Sequence, residues 1–149
     1  MGAKVFVYGS LKKGFGNHQN YLSMAIPLGA TRTLSRAFQM YSFGMFPGVY
    51  KGGKYAIEGE LYEVTDRELE RLDMLESNGR FYNREEVKLA NGETAWMYIC
   101  MGKPHKSSGH LPRIQNTRNH TQVWHQMVVY HPRRNRLTSS TRSATLTHS

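Results

Sequence analysis

The chain holds one cysteine and five prolines in 149 residues, and no acidic residue follows Glu93. A single cysteine, Cys100, excludes an intrachain disulfide and fits a reducing compartment, so a cytoplasmic protein is expected. Cys100 lies within an apolar run, which favours a buried, inert thiol. No run approaches the roughly 20 apolar residues of a membrane span, so no membrane partner is expected. No secretory pattern is visible either, because the apolar run after Lys4 breaks at Gly9. The first hundred residues contain one histidine, His18, which leaves a Ser–His pair little to draw on. Gly-x-Ser-x-Gly is absent around Ser10. Gly9 and Gly14 have the spacing of a Walker loop, but Phe15 and Gly16 stand where Lys and Ser/Thr belong, so a nucleotide site is not expected. The later histidines lack zinc-ligand spacings and have no cysteine beside them, so no metal is expected.

What is present divides in two. Residues 1–100 hold 12 Lys/Arg and all 11 Asp/Glu, whereas residues 101–149 hold 8 Lys/Arg, no acid and six of the seven histidines. The net charge of +9 therefore belongs almost entirely to the second part. This composition predicts a domain over residues 1–103 and a basic tail over 104–149, disordered or weakly structured. Within the tail, Trp124 to Tyr130 is the one stretch able to add a strand or a docking segment. Arg133, Arg134, Asn135 and Arg136, with Trp124 and Tyr130 nearby, are candidate nonspecific nucleic-acid contacts. A solvated basic tail is the commoner outcome of such a composition.

The front domain is organised around Val5-Phe6-Val7-Tyr8-Gly9-Ser10-Leu11. The β-branched and aromatic run reads as a buried strand, and it ends abruptly in a glycine-bounded loop. Exposed N–H groups in such a loop can cradle an anion or an oxyanion; a plain structural turn is the alternative. Further on, the sequence predicts a short helix over 17–25 with Asn17 as N-cap, ended by Pro27. Strands are expected over 28–34, 38–43, 56–64, 81–89 and 94–101, the last two joined by an Asn91-Gly92 hairpin turn. Gly44, Pro47 and Gly48 read as a loop. Gly59, in mid-strand, signals a bend or a close backbone approach. Thr65-Asp66-Arg67-Glu68 is a capping box that opens a second helix, stopped by Asn78-Gly79. About six strands and two helices make the fold α+β, with a small mixed or barrel-like sheet.

The second helix carries one acid on an unusual face. At about 100° per residue from Leu69, Leu72 falls near 300°, Leu75 near 240° and Glu76 near 340°, inside the apolar stripe. Burial and the negative end of the helix dipole both disfavour the ionised form there, so its pKa should rise. A carboxyl that titrates near neutrality is what general acid/base chemistry requires. The competing reading has Glu76 splayed outward or paired with Arg80 or Arg84. Asp73, near 40°, reads as a polar edge residue or a helper to the fold.

Tyr8-Gly9-Ser10-Leu11 after a first strand, Leu72-Asp73-Met74-Leu75-Glu76 at a helix end, and Phe81-Tyr82-Asn83-Arg84-Glu85-Glu86-Val87 occur in that order. Together they make residues 4–101 resemble the gamma-glutamylcyclotransferase-like family, in particular its gamma-glutamylamine cyclotransferase branch and bacterial or phage relatives. The resemblance implies a small mixed β-barrel with flanking helices. It implies cofactor-independent release of 5-oxoproline from a small gamma-glutamyl substrate. It also implies that Tyr8, Gly9, Ser10 and Leu11 hold the glutamyl group, that Glu76 is the acid/base, and that Tyr82 and Tyr98 belong to the pocket. Ser77 departs from the pattern, standing where glycine commonly follows the glutamate. A binding module on the same fold, using the basic tail for nucleic acid or a protein partner, is the alternative function.

Overall fold

The computed structural model describes residues 2–102 and 113–125. Nine strands and two helices occur among the described residues: β1 (Ala3–Val7), α1 (His18–Tyr21), β2 (Ile26–Arg32), β3 (Phe38–Ser42), β4 (Pro47–Lys51), β5 (Ala56–Val64), α2 (Asp66–Leu75), β6 (Tyr82–Lys88), β7 (Thr94–Cys100), β8 (Ile114–Asn116) and β9 (Thr121–Trp124).

The main sheet runs β2–β5–β1–β7–β6. β1 lies antiparallel to β5 and parallel to β7, so the sheet is mixed. It curls on itself. Where β2 and β6 end, a bridge between Thr33 and Leu89 joins the two outer strands, secured by Leu34 N–H to the Lys88 carbonyl and Ala90 N–H to the Arg32 carbonyl, both 2.9 Å. This is the small mixed barrel that the sequence led us to expect. β3 and β4 form a separate antiparallel pair packed against it.

β1 shows why its sequence is apolar throughout. Phe6 and Tyr8 point into the barrel with Met40, Ile57, Leu61 and Met97. Val5 and Val7 point the other way, toward Leu22, Leu69 and Leu72 of the helical layer. A strand buried on both faces needs no polar alternation. Gly59 of β5 faces β1 so closely that a β-carbon there would strike the Val7 carbonyl, the close approach expected of it.

α2 begins as its sequence dictates. Thr65 N–H donates to Glu68 Oε1 (2.8 Å) and Glu68 N–H donates to Thr65 Oγ1 (3.1 Å), an arrangement worth about 1 kcal/mol. Its end is less regular than glycine would make it. Ser77 adopts φ 50° and Gly79 φ 87°, so a side chain is carried through a left-handed turn of the kind that favours glycine.

Several expectations need correction. The first helix is a single turn, and Asn17 makes no capping bond through its side chain; its amide donates instead to Ser10 Oγ at 2.9 Å. Pro27 lies inside β2, which begins at Ile26. Pro47 and Gly48 are in strand β4 rather than a loop. The largest difference is at the boundary after residue 103. β8 and β9 form a hairpin, and β9 pairs in parallel with Ala56 and Ile57. Trp124 is 1% exposed in the barrel core. It anchors the hairpin and is unavailable for stacking on a nucleic-acid base. Packed structure therefore extends to residue 125, and the basic composition concealed a hairpin with one large apolar anchor. Tyr130, Arg133, Arg134, Asn135 and Arg136 lie outside the described residues. No helix among the described residues is long and apolar enough to cross a membrane.

Candidate active site

The loop after β1, the end of α2 and the first residues of β6 converge on one cavity of about 500 Å³, within the usual range for small-molecule sites. Tyr8, Gly9, Ser10 and Leu11 form one wall, and Glu76, Tyr82 and Tyr98 contribute another. All seven residues singled out in the sequence thus line a single space.

The loop wall is rigid. Tyr8 Oη donates to the Tyr98 carbonyl at 2.7 Å, which ties the end of β1 to β7. Burial raises the Tyr8 phenol well above its ordinary value, so it stays protonated. The turn closes with Lys12 N–H to the Gly9 carbonyl and Asn17 N–H to the Ser10 carbonyl, both 3.0 Å. No described residue accepts a hydrogen bond from the N–H groups of Gly9, Ser10 or Leu11. Gly9 is required for space: a β-carbon there would lie 2.7 Å from Pro47 Cγ and Cδ.

Glu76 caps the C-terminus of α2, with its N–H bonded to the Leu72 carbonyl at 2.9 Å. Its half-buried carboxylate has no ion pair or hydrogen bond among the described residues. Burial pushes its pKa from 4.5 up to about 7. The pairing with Arg80 or Arg84 does not form. Arg80 lies over the Phe81 ring at 5.5 Å. Arg84 is taken by Asp73, with Nε 2.9 Å from Oδ1, although that contact is too bent to count as a hydrogen bond and leaves Nε otherwise without a partner. The short ion-pair distance and the Nη2 contact to Oδ2 at 3.2 Å define the pair.

Asp73 is more than an edge residue. It also accepts from Tyr98 Oη at 2.6 Å, while Arg84 stacks on Trp96 at 4.3 Å. The Arg84–Asp73–Tyr98 chain keeps Asp73 occupied and leaves Glu76 the unpaired acid. Tyr82 and Tyr98 are both raised by burial. Cys100 is half-buried rather than buried as expected; partial burial pushes its thiol up to about 11, so a thiolate is disfavoured.

One charged lining residue was missed. Arg113, just before β8, also faces the cavity. It was hidden because the whole segment after Met101 read as a solvated tail. The only sequence signal was the Val123-Trp124 pair, which marks the hairpin that carries Arg113 into place. Lys12 is linked to the same hairpin: Nζ donates to the Trp124 carbonyl at 2.7 Å, and burial lowers its pKa.

With this geometry in view, the likenesses to known proteins are consistent. The family model described as "Gamma-glutamyl cyclotransferase, AIG2-like" matches residues 5–126. The chain belongs to that family. The match runs well past residue 101, where the sequence resemblance had been taken to stop, and it includes the β8–β9 hairpin. A Methanocaldococcus jannaschii protein named "Putative gamma-glutamylcyclotransferase" is 40% identical over 100 residues, covering 64% of this chain and 82% of that one. The family protein YtfP of Escherichia coli K12 is 34% identical over 96 residues, covering 64% and 80%. Among solved structures, a Pyrococcus horikoshii protein is 32% identical with a TM-score of 0.60, covering 70% of this chain and 83% of its own. A mouse AIG2-like protein is 24% identical with a TM-score of 0.61, covering 72% and 88%, and shows the likeness of fold.

Proposed function

We propose that this member of the family is an active gamma-glutamyl cyclotransferase that releases 5-oxoproline from a small gamma-glutamyl amine or peptide. The observation that carries the reading is Glu76: a carboxylate with no partner among the described residues, in a cavity, with a pKa near 7, lining the same space as a loop whose N–H groups have no acceptor among the described residues. The reaction needs both features. Glu76 takes a proton from the substrate's α-ammonium. The freed amine nitrogen attacks the γ-carbonyl carbon of the same glutamyl unit, closing a five-membered ring. The carbonyl oxygen gains negative charge, which the Gly9–Leu11 N–H groups stabilise. As the bond to the leaving nitrogen breaks, Glu76 gives that nitrogen the first proton and takes the second from the ring nitrogen, so that the products are the neutral lactam and the free amine. Much of the acceleration comes from holding the bent conformer in which nitrogen and carbonyl meet. Tyr8 and Tyr98 set the shape of the wall, and Asp73 positions Tyr98.

The test is 5-oxoproline release across a panel of gamma-glutamyl amines and peptides, with Glu76→Gln as the control. The amide keeps the shape but cannot accept the ammonium proton, so turnover should fall about 10²–10⁴-fold. A folded variant that turns over at the wild-type rate removes the mechanism.

A further inference from the structure

Arg113 is an isolated charge. It is 8% exposed. Its Nε donates to the His125 carbonyl (3.0 Å) and its Nη1 to the Gly44 carbonyl (3.0 Å). Its plane lies on the Trp124 ring at 4.4 Å. These contacts fix the guanidinium without neutralising it, and Nη2 donates to no described residue. All eleven Asp and Glu side chains of the protein lie between Glu58 and Glu93, and none of them pairs with Arg113. No side-chain carboxylate remains elsewhere in the chain to serve as its counterion. A desolvated guanidinium with no carboxylate partner is unfavourable unless an anion arrives from outside, and this one borders the cavity.

The cavity thus has two charged walls. Glu76 sits among α2, β6 and β7, while Arg113 sits beside Gly44 and Trp124. They do not pair, and they are carried into the cavity by different elements, the end of α2 and the start of β8. A glutamyl unit whose ammonium meets Glu76 presents its leaving half to the remainder of the cavity. Resting on the cyclotransferase reading, we propose that Arg113 is a specificity residue that receives a carboxylate on the leaving half of the substrate. Preferred substrates are then gamma-glutamyl derivatives of amino acids rather than of uncharged amines. Arg suits this task because its planar fork can bind a carboxylate while other donors hold the protein.

The test compares gamma-glutamyl-alanine with gamma-glutamyl-alaninamide, which differ only in that carboxylate. Binding is titrated calorimetrically on Glu76→Gln protein, where turnover is suppressed. The acid should bind about 10–100-fold more tightly than the amide, the span of one charge-assisted hydrogen bond. Adding Arg113→Gln should collapse the ratio toward unity, and Arg113→Lys should restore part of it. Because Arg113 also holds two carbonyls, its variants are checked for folding; the two-ligand ratio with Arg113 intact decides the matter even if they unfold. Equal binding of the two ligands, or binding of neither, overturns the proposal. So does a ratio that survives Arg113→Gln. Release of 5-oxoproline by the wild-type protein is measured alongside. Its absence with the preference intact refutes the cyclotransferase reading and leaves the anion subsite standing. Release with no preference refutes the Arg113 assignment alone.

Discussion

Replacing Glu76 with Gln removes a charge that the native state accommodates poorly, and the consequence for stability depends on pH in a defined way. The carboxyl titrates at 4.5 when unperturbed and near 7 in the folded protein. Below pH 4.5 it is protonated in both states, and the two proteins should be equally stable. Between pH 4.5 and 7 the unfolded chain loses the proton first, so the wild-type native state weakens as pH rises. Above pH 7 the loss is complete. The full shift corresponds to about 3 kcal/mol, and the partial exposure of Glu76 reduces this to about 1–3 kcal/mol. Glu76→Gln should therefore match wild type near pH 4 and exceed it at pH 8. A domain of this size gains about 4 °C or more in Tm for each kcal/mol. Denaturant and thermal unfolding of both proteins across pH 4–8 measure the difference. A gap that stays constant with pH, or that favours wild type at pH 8, would refute the buried-carboxylate argument.

Other outcomes follow from the same geometry. The ratio kcat/KM should rise with pH through about 7 as Glu76 becomes ionised, and a pH–rate profile with no inflection between 6 and 8 would contradict the role of base proposed for it. Gly9→Ala should lower stability by about 1–3 kcal/mol, since its β-carbon would press on Pro47; denaturant titration reads this directly. Trp124→Ala should cost about 3–5 kcal/mol, because the ring lies in the barrel core, and unchanged unfolding would show the hairpin to be dispensable.

The sequence made some features plain and hid others, for physical reasons. β1, β5, the capping box of α2 and the β6–β7 hairpin were legible because each carries a dense local signal: apolar runs, a Thr-x-x-Glu box, an Asn-Gly turn. Glu76 was legible because its position on the wheel conflicts with its charge. β4 was missed because Pro47 and Gly48 suit turns, yet Pro47 occupies the first residue of a strand, where its missing N–H does no harm. β8 and β9 were missed because their stability is not local. Trp124 fills the barrel, and Gln122 donates no apolar surface at all: its Oε1 accepts the Met40 N–H at 2.7 Å from a buried position. A buried glutamine used as a backbone partner leaves no trace in hydropathy. Arg113 was hidden with the hairpin that holds it. Ser77 was noticed as a departure, but its left-handed conformation follows only from the geometry of the turn.

The bond from Lys12 to the Trp124 carbonyl spans 112 positions, and it has a bearing on how the protein matures. The loop bearing Gly9, Ser10 and Leu11 is made well before the hairpin, but its neighbour Lys12 gains its partner only when residue 124 has been translated and docked. Contacts of such long separation form late in folding, after the loop-closure entropy has been overcome. A nascent chain can therefore hold the capped helix and much of the curled sheet while the Lys12 side chain beside that loop still lacks its partner. Competence for the proposed reaction would be acquired only once residue 124 has docked, in one late step rather than gradually.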